Sequence, residues 1–432
     1  MTTTLNNCRI EISKQMGDYW AGTTTSAGDS TSVIDTALKA KQNAWITDET
    51  YDFITSATCL SEERKVVSLD NSSGDMTVLA HTGTGPGSGG TYEVHRLFTP
   101  SDKRIALIYA ARMGFPYIHD KIWDESMVSG NWLKDGSFEI WTSATALTHW
   151  AKNGSATLAQ TSTSPYYKHG SYSCGISGAA DYIYQDIAKW DDLKRLAGKS
   201  VTFTAQVHCD TASCARLGVL YDGTNVSYSS YHPGGTDWTT NEAPLSVTVQ
   251  IDDTPTDIEF RVYHDNAAGT SYVDDARVIA STSDKPRLYI GDIGLAQEYP
   301  YGVYREPDNY SMNEPWQRIH GCEIDTEGGY LYLPHWVPND YRLRIKGIAY
   351  LDFLASGVSS TAWTATINID APQTDILYAE AMVYLCNQMI VPNYTVGTSD
   401  KWKEALQFWQ AELRARRGKH SMPMPTIPVK WR

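Results

Sequence analysis

The sequence has few of the features that mark secreted, membrane or metal-thiolate proteins. Its seven cysteines are an odd number, and no two of them form a C-x-x-C pair. We therefore expect reduced thiols and folding in the cytosol rather than a disulfide framework. The N-terminal stretch MTTTLNNCRIEI lacks the basic and apolar segments of a signal peptide, and no apolar run is long enough to span a bilayer.

Positive charge is also scarce. The chain of 432 residues has 36 lysines and arginines against 50 aspartates and glutamates, which gives a net charge of −14. This excess excludes a general nucleic-acid binder, because the chain would repel the phosphate backbone. It is compatible with an acidic channel wall that surrounds DNA without gripping it.

Catalytic motifs are missing as well. The run GTGPGSGG at 83–90 lacks the Lys-Ser/Thr of a phosphate loop and precedes a strand-like segment, so it predicts a hairpin tip. GISGA at 175–179 has its second glycine misplaced for a nucleophile elbow. The sequence shows no catalytic triad and no H-E-x-x-H motif. We therefore expect a protein without enzymatic activity.

Two aromatic residue types are abundant. Tyrosine and tryptophan number 27 and 14, whereas phenylalanine numbers only 8. Amphipathic aromatics in this ratio suit sheet faces, sugar-binding surfaces and subunit contacts. A β-rich fold would by itself also account for many of them.

Helical and strand-like segments alternate at the two ends of the chain. Apolar residues recur every three or four positions over 5–20 and again after Ser101, which predicts two helices. Between them, residues 23–97 alternate in the manner of strands and predict a small antiparallel β-barrel or sandwich. Strand-like segments follow Pro286. The C-terminal part then predicts two helices and an extended tail, over 372–390, 399–417 and 421–432.

The middle of the chain differs from the two ends in composition and in its predicted elements. Residues 129–282 contain short strands, frequent Gly/Ser/Asn turns and little helical pattern, which is typical of a jelly-roll sandwich. We predict an α+β multidomain protein with a helical body and a small antiparallel β-barrel or sandwich. In this interpretation residues 1–128 and 283–432 form one discontinuous body, and the all-β jelly roll 129–282 is inserted into it.

Two motifs bracket this middle segment. DGSFE stands at 135–139 and YVDD at 272–275. In this respect the segment resembles the carbohydrate-binding jelly rolls of the type fused to xylanases and cellulases. The resemblance implies a structural calcium ion held by Glu139 and Asp274, since hard oxygen ligands suit calcium. A solvated carboxylate or a turn cap is the alternative, and we expect no other cofactor.

Aromatic side chains of the segment could bind sugar. Flat rings with polar neighbours are what the C–H faces of pyranose rings need. The alternative is that these residues belong to the core or to contacts between subunits. The candidates are Trp141, Trp150, Tyr182, Tyr184, Tyr228 and Tyr231.

The two ends carry a second resemblance. The N-terminal order is a helix, then TTTSAGDSTSVIDTAL, SEERKVVSLDNSSGDMTVL and GGTYEVHRLFTPSDKRIALIYAAR; the C-terminal order is IDAPQTDILYAEAMVYLCNQM, then TSDKWKEALQFWQAELRARRGKH. This order is similar to head–tail connector (adaptor) proteins of tailed bacteriophages. It implies a virion structural protein of the neck or tail, assembled in the host cytoplasm as a homo-oligomeric ring, usually of twelve copies. Portal protein and tail or nozzle proteins would be its partners, no membrane would be involved, and DNA would pass without specific binding.

The proline-containing tail suits docking onto a partner such as the portal. Proline fixes its shape beforehand, which lowers the ordering cost of binding. Its anchors would be Met422, Met424, Ile427 and Trp431. The alternative to the connector is a carbohydrate-binding tail, fibre or baseplate protein that attaches to host-surface glycans.

Overall fold

The structure is a computed structural model of the whole chain. It describes residues 2–47, 49–56, 59–178, 180–187, 190–235, 238, 243–267, 269–281, 286–296, 300–308, 314–325, 328–355, 357–390, 399–424 and 430–431. The helices within these residues are α1 (Leu5–Gln15), α2 (Pro100–Met113), α3 (Trp190–Leu196), α4 (Thr374–Ile390) and α5 (Ser399–His420). None of the described helices combines the length and apolarity that crossing a bilayer requires.

Strands predominate over helices in the described residues. The first half of the chain forms β1 (Thr3–Thr4), β2 (Trp20–Thr23), β3 (Ser32–Ile34), β4 (Tyr51–Ile54), β5 (Glu63–Asp70), β6 (Asp75–Val78), β7 (Thr91–His95), β8 (Asp120–Asp124), β9 (Trp141–Ser143), β10 (Ala146–Leu147), β11 (Ala151–Lys152), β12 (Thr157–Thr161), β13 (Ser173–Ser177), β14 (Asp181–Asp186) and β15 (Ser200–Cys209). The second half forms β16 (Ala215–Leu220), β17 (Val226–Tyr228), β18 (Leu245–Gln250), β19 (Glu259–His264), β20 (Thr270–Ala280), β21 (Leu288–Tyr289), β22 (Gly302–Arg305), β23 (Gln317–Ile319), β24 (Glu323–Asp325), β25 (Tyr330–Tyr332), β26 (Leu343–Ala349), β27 (Leu354–Ala355), β28 (Val358–Ser359), β29 (Thr366–Ile367) and β30 (Lys430–Trp431).

The chain divides into two compact units. Unit 1 comprises Met1–Asp120 and Tyr350–Met424, and unit 2 comprises Lys121–Ala349 and Pro425–Arg432. This division differs from the predicted boundaries at 128/129 and 282/283. The strands from β21 to β26 group with the sandwich rather than with the two ends of the chain. The sequence pattern alone could not show this grouping, because apolar and polar residues alternate in the same way in the strands of both units.

Unit 1 contains the predicted helices. Helix α2 begins with a capping box, in which the Thr99 hydroxyl accepts from the Asp102 amide and the Asp102 carboxylate accepts from the Thr99 amide. Gly114 ends the helix. Its buried face packs with α1, α4 and the strand β29 in one core. Members of this core include Leu5, Ile12, Leu107, Ala110, Ile367, Ile376, Leu385 and Leu413.

The first helix is shorter than the pattern predicts. It ends at Gln15, and Trp20 already belongs to β2. Gly17, at φ +67°, lies in the left-handed region that favours glycine and turns the chain between them. The two predicted C-terminal helices are confirmed as α4 and α5, with α5 continuing to His420.

The second part of unit 1 is a six-stranded antiparallel sheet. Its order is β2-β7-β4-β5-β6-β3. A backbone hydrogen bond of 2.8 Å from Thr25 to Ile34 links the chain after β2 to β3, so the two outer strands approach each other. The buried side chains of this sheet form a separate core, which includes Val33, Ile54, Met76, Tyr92 and Val94.

Unit 2 contains the predicted sandwich. Two five-stranded sheets have the orders β11-β14-β19-β16-β17 and β12-β13-β20-β15-β18, and the strand pairs are antiparallel. Strand β18, LSVTVQ, alternates buried and exposed positions as a strand with one face on a core must. The core between the sheets includes Phe138, Ile183, Phe203, Leu217, Phe260 and Val262.

The rest of unit 2 forms two four-stranded sheets, β21-β25-β24-β30 and β23-β22-β26-β8. They have their own core, which includes Leu288, Val303, Ile324, Leu331 and Ile345. The strand β30 comes from the C-terminal tail and pairs in parallel with β24, with Trp431 opposite Ile324. Part of the predicted extended tail is therefore a strand of unit 2.

Candidate functional site

One outer face of the sandwich is lined with tyrosine and arginine. Along a strand, successive side chains point to opposite sides of the sheet. In β19, Phe260 and Val262 are fully buried in the core, so Arg261 and Tyr263 point outward. Register places the outward residues of neighbouring strands in two rows: Tyr182, Tyr263 and Arg216; and Tyr184, Arg261, Gly218 and Tyr228. We call these residues, with Tyr231, the tyrosine–arginine face.

The tyrosine rings follow one another along β14 and then across the sheet to β19 and β17. The ring centroids of Tyr184 and Tyr182 are 5.8 Å apart, those of Tyr182 and Tyr263 4.9 Å, and those of Tyr263 and Tyr228 5.4 Å. These separations lie in the range of favourable aromatic pairs. Tyr228, at one end of this series of rings, is 45% exposed, whereas Tyr263, within the series, is only 9% exposed. The result is a continuous aromatic strip with an accessible end.

Gly218 makes room for this strip. It lies in the middle of β16, opposite Tyr228 on one side and Arg261 on the other. A Cβ atom at this position would lie 2.7 Å from Cε2 of Tyr263 and 3.1 Å from a methyl group of Val226. Glycine therefore lets the Tyr263 ring lie flat across the strand, at the cost of a weaker strand position.

Each arginine of the face has its own carboxylate. Arg261 donates from Nε to Glu259 (2.7 Å) and from Nη1 to the Tyr263 hydroxyl (3.1 Å). Arg216 forms an ion pair with Asp265, with 2.7 Å between Nε and Oδ2. The charge of each of these two arginines is thus balanced by the charge of its own carboxylate.

The guanidinium groups also lie over the rings. The Arg216 Cζ atom is 4.0 Å from the Tyr228 centroid and 4.7 Å from that of Tyr231. The Tyr231 hydroxyl donates to Asp265 at 3.0 Å. Cation–π contacts of this kind favour one arrangement of the guanidinium over the rings. The rings therefore have partners within the chain before any ligand binds.

The central tyrosine stays protonated at neutral pH. Burial raises the pKa of Tyr263 to about 12, and its hydrogen bond with Tyr228 acts in the same direction, against the opposing effect of Arg261. A protonated phenol both donates and accepts hydrogen bonds. The face consequently offers hydroxyl, guanidinium and carboxylate groups between its rings.

A cleft adjoins the face at Tyr184. It has a volume of about 470 Å³ and contains Lys134, Tyr289 and Tyr330 among its lining residues. The Lys134 ammonium lies 4.5 Å from the Tyr289 centroid, and the Arg287 guanidinium 4.5 Å from that of Tyr330. The cleft continues the same combination of aromatic rings and cations.

The structure separates the six predicted sugar-facing aromatics into two groups. Tyr182, Tyr184, Tyr228 and Tyr231 come together on the tyrosine–arginine face. Trp150 is instead only 4% exposed and stacks on Phe138 at 4.9 Å, so it is a core residue. Trp141 packs against the same core and donates to the Phe138 carbonyl at 2.8 Å. Both tryptophans pack beside the same phenylalanine rather than on the outer face.

Besides Gly218, three members of the face were missed by the sequence reasoning: Arg216, Arg261 and Tyr263. The alternation in EFRVYH, with Glu259, Arg261 and Tyr263 on one side, contains the signal for two of them. The pairing of β19 with β14 and β16 is what places them beside the predicted tyrosines. That pairing is not readable from a single strand.

Glu139 and Asp274, the predicted calcium ligands, hold one loop. Glu139 Oε1 accepts from the amides of Ser171 (2.8 Å) and Tyr172 (3.1 Å). Asp274 Oδ2 accepts from the amides of Lys168 (2.7 Å) and His169 (2.8 Å). We call this arrangement the carboxylate clamp. Asp274 Oδ1 accepts from the Asp275 amide at 2.7 Å, so three of the four carboxylate oxygens accept backbone amides. Calcium binding here stays a prediction.

Asp274 is buried and Glu139 half-buried, and neither forms an ion pair with a residue that the structure describes. Burial raises the pKa of Asp274 to about 7, although three backbone amides lower it. The pKa of Glu139 is raised for the same reason. Between them, Gly170 adopts φ +69°, and a Cβ atom there would lie 2.0 Å from Glu139 Oε1. The tight approach of carboxylate to backbone therefore requires glycine.

The four predicted anchors of the C-terminal tail have different positions. Met422 packs against the helical core of unit 1, and its amide donates to the Tyr117 carbonyl at 2.7 Å. It is therefore engaged within its own chain instead of free for a partner. Met424 is 42% exposed. Ile427 lies outside the described residues, and only the backbone of Trp431 is described, in β30.

Comparisons with known proteins give only distant likenesses. No protein-family model and no curated protein match the sequence. Among solved structures, a family 61 carbohydrate-binding module in complex with β-1,4-galactotriose is similar to 34% of this chain, covering 97% of its own, at 16% identity and a TM-score of 0.26. The xylan-binding domain of Xyn10C from Paenibacillus barcinonensis matches 37% of this chain and 97% of its own, at 13% identity and a TM-score of 0.25.

A third similar structure comes from a phage. The enzymatically active domain of tailspike protein 4 from bacteriophage CBA120 matches 35% of this chain and 21% of its own, at 15% identity and a TM-score of 0.27. All three TM-scores lie below 0.5, a range in which a likeness establishes neither the fold nor the ligand of this chain. None of the three is a head–tail connector.

Proposed function

We propose that the protein binds a neutral glycan through the tyrosine–arginine face, and that it serves as a carbohydrate-binding tail, fibre or baseplate component of a phage virion. The observation that carries the proposal is the unbroken series of neighbouring rings on the outer face of the sandwich, formed by Tyr184, Tyr182, Tyr263 and Tyr228. This is the alternative reading of the sequence, and the geometry of the face favours it over the connector.

Sugar rings need two kinds of partner. Their C–H faces pack on flat aromatic rings, and their hydroxyl groups need hydrogen-bond donors and acceptors at the edge of those rings. The face supplies both, because Arg261 with Glu259 and Arg216 with Asp265 lie among the tyrosines. A row of rings with polar groups between them fits a short linear oligosaccharide better than a single compact ligand.

The charge balance favours a neutral glycan. Both arginines are already paired with carboxylates, so a phosphate or a carboxylate on the sugar would have to displace Glu259 or Asp265. Hydroxyl groups, in contrast, can be shared with an existing ion pair, since each partner keeps unused donors or acceptors. The two acidic residues also serve as partners of arginine, which agrees with binding without catalysis.

A head–tail connector function stays a prediction. It rests on the resemblance in the order of segments at the two ends of the chain. The same resemblance is the basis for expecting a ring of twelve copies, a portal partner and passage of DNA. A glycan-binding sandwich and a connector-like body are compatible in one protein. The glycan proposal, in contrast, rests on the geometry of named side chains on the tyrosine–arginine face.

Alanine substitution of the outer tyrosines tests the proposal. The full-length protein is screened on a glycan array, and the best ligand is titrated by calorimetry. We expect Tyr182→Ala and Tyr228→Ala each to weaken binding about tenfold, because each removes a stacking contact of about 1 kcal/mol together with its buried area. Tyr350→Ala, an exposed tyrosine of unit 1, is the matched control and is expected to bind as the wild type does.

Two results would count against the proposal. If the wild type bound no glycan at millimolar concentration, the sandwich would not be a carbohydrate-binding module. If binding occurred but neither tyrosine variant changed it, the tyrosine–arginine face would not be the site, and the proposal as stated would fail.

A further inference from the structure

A cysteine, a glutamate and a histidine converge in unit 1, far in sequence from the predicted calcium ligands. Cys59 Sγ, a carboxylate oxygen of Glu62 and a ring nitrogen of His81 all lie within 4.8 Å of one another. Histidine, cysteine, aspartate and glutamate are the usual metal-binding side chains. Among the described residues, no other group of three or more of them brings its ligand atoms this close together. Cys59 and Glu62 lie between β4 and β5, and His81 follows β6.

A tight turn brings the first two residues together. The Glu62 amide donates to the Cys59 carbonyl at 3.0 Å, and the Ser61 amide donates to Ile54 at 2.8 Å. Ser61 has φ +66°, in the left-handed region that non-glycine residues rarely adopt. Strained backbone of this kind is retained where surrounding contacts enforce it, often at ligand sites.

His81 is oriented by a carboxylate on each side. Its Nδ1 lies 3.1 Å from Glu62 Oε2, and its Nε2 lies 2.9 Å from Asp52 Oδ2. Asp52 is fully buried in β4. In metal sites, a ligating histidine usually makes a hydrogen bond from its other nitrogen to a carboxylate, which fixes the ring. Asp52 occupies this position, and Nδ1 points at Glu62.

We propose that Cys59, Glu62 and His81 bind one divalent cation of the zinc class, with Asp52 as the residue that positions His81. Cation binding would displace two protons to solvent. One is the thiol proton of Cys59, whose sulfur lies 3.3 Å from the Thr82 carbonyl oxygen, and the other is the proton between His81 Nδ1 and Glu62. Glu62 also pairs with the Arg64 guanidinium at 3.0 Å. The thiolate of Cys59 and the carboxylates of Glu62 and Asp52 then balance the two charges of the ion and the one charge of Arg64. The mixed sulfur, nitrogen and oxygen donor set suits zinc.

The three ligand atoms would have to move to the separations of a zinc site. Tetrahedral zinc with ordinary bond lengths holds its ligand atoms about 3.3–3.6 Å apart, whereas the Nδ1 to Oε2 distance is 3.1 Å and all three ligand atoms lie within 4.8 Å of one another. Cys59 and His81 are almost completely buried, whereas the Glu62 side chain is 17% exposed. Water can therefore reach the fourth position from the side of Glu62. The ion would fasten the β4–β5 turn to the segment after β6.

Cobalt substitution is the direct test. The purified full-length protein is stripped with a chelator and titrated with Co²⁺, and bound metal is counted by elemental analysis. We expect one cobalt per chain and a thiolate-to-cobalt charge-transfer band in the near ultraviolet, both lost when Zn²⁺ displaces the cobalt. We also expect Zn²⁺ to raise the melting temperature of the stripped protein.

Variants locate the ion. Cys59→Ser is expected to lose the charge-transfer band, whereas Cys322→Ser, a substitution of another buried cysteine, is expected to keep it. Glu62→Gln changes a partly exposed side chain and is expected to bind at least about tenfold more weakly, which gives a readout if Cys59→Ser does not fold. Absence of bound cobalt in the wild type, or a band that persists in Cys59→Ser, would overturn the proposal.

Discussion

At the residue scale, Asp274 shows how one buried carboxylate links loop structure to pH. It accepts two loop amides at 2.7 and 2.8 Å, and burial raises its pKa from 3.8 to about 7. Because the folded state holds the proton more tightly than the unfolded state, the proton stabilises the fold. This contribution is complete below about pH 4 and is lost as the pH rises through about 7.

Asp274→Ala tests this linkage. We expect the variant to lower the free energy of unfolding by about 2–3 kcal/mol at pH 5, because three backbone amides lose their acceptor. The difference from the wild type should be smaller at pH 8, where ionised Asp274 already costs stability. Urea denaturation at several pH values measures both quantities.

Asp222 provides the control for this experiment. It also accepts backbone amides, from Thr224 and Asn225 in the turn between β16 and β17, but these hydrogen bonds lower its pKa below 3.8. Asp222→Ala should therefore show no change of effect between pH 5 and pH 8. A difference for Asp274→Ala that grew with pH would mean that the ionised form is favoured, as a bound calcium ion at the carboxylate clamp would make it.

At the element scale, buried charges join α1, β7 and α2. Arg9 donates to Glu93 at 3.0 Å, and Lys103 donates to Asp18 at 2.8 Å. His95 lies between them, with its Nδ1 2.9 Å from Lys103. Burial, followed by the charge of Lys103, lowers the pKa of His95 to about 4, so it is neutral at pH 7. The charges balance, and each has a partner.

Lys103→Met tests this network. The substitution leaves the Asp18 carboxylate buried without its cation, so we expect a loss of about 3–5 kcal/mol in the free energy of unfolding, measured by chemical denaturation. Lys14→Met removes an exposed lysine from α1 and its ion pair with Glu11, and we expect no measurable change. Equal effects of the two substitutions would show that the buried network does not stabilise unit 1.

At the scale of the whole molecule, each unit has two hydrophobic cores of its own. The sandwich core of unit 2 contains Phe203, and the helical core of unit 1 contains Phe353; both side chains are fully buried. Separate cores are the condition under which parts of a chain unfold as separate cooperative units. We therefore expect calorimetry to show at least two thermal transitions.

Matched phenylalanine substitutions assign those transitions. Phe203→Ala and Phe353→Ala each remove a buried ring, at a cost of about 3–5 kcal/mol, and each should lower a different transition. A glycan that binds the tyrosine–arginine face should raise only the transition that Phe203→Ala lowers. One transition that responds to both substitutions would show that the two units unfold together.

The local features of the fold could be predicted from the sequence. Helical periodicity and caps locate α2, α4 and α5 to within a few residues, because capping and an apolar stripe are properties of adjacent positions. The turn-rich middle segment predicts the sandwich for the same reason. Tyr182, Tyr184, Tyr228 and Tyr231 could be proposed from residue type alone, since flat rings with a polar tip suit sugars whatever the fold around them.

Contacts between residues distant in sequence decided which side chains form the tyrosine–arginine face, the core and the cation site. Tyr263 and Arg216 belong to the tyrosine–arginine face because the register of β19 and β16 places them side by side. Trp150 lies in the core, where its ring packs on Phe138. The cation site needs His81, which lies 19 residues from Glu62. The sequence by itself determined which segments are helices and strands, whereas only the tertiary structure decided which side chains meet, because strand register depends on long-range burial that no local pattern encodes.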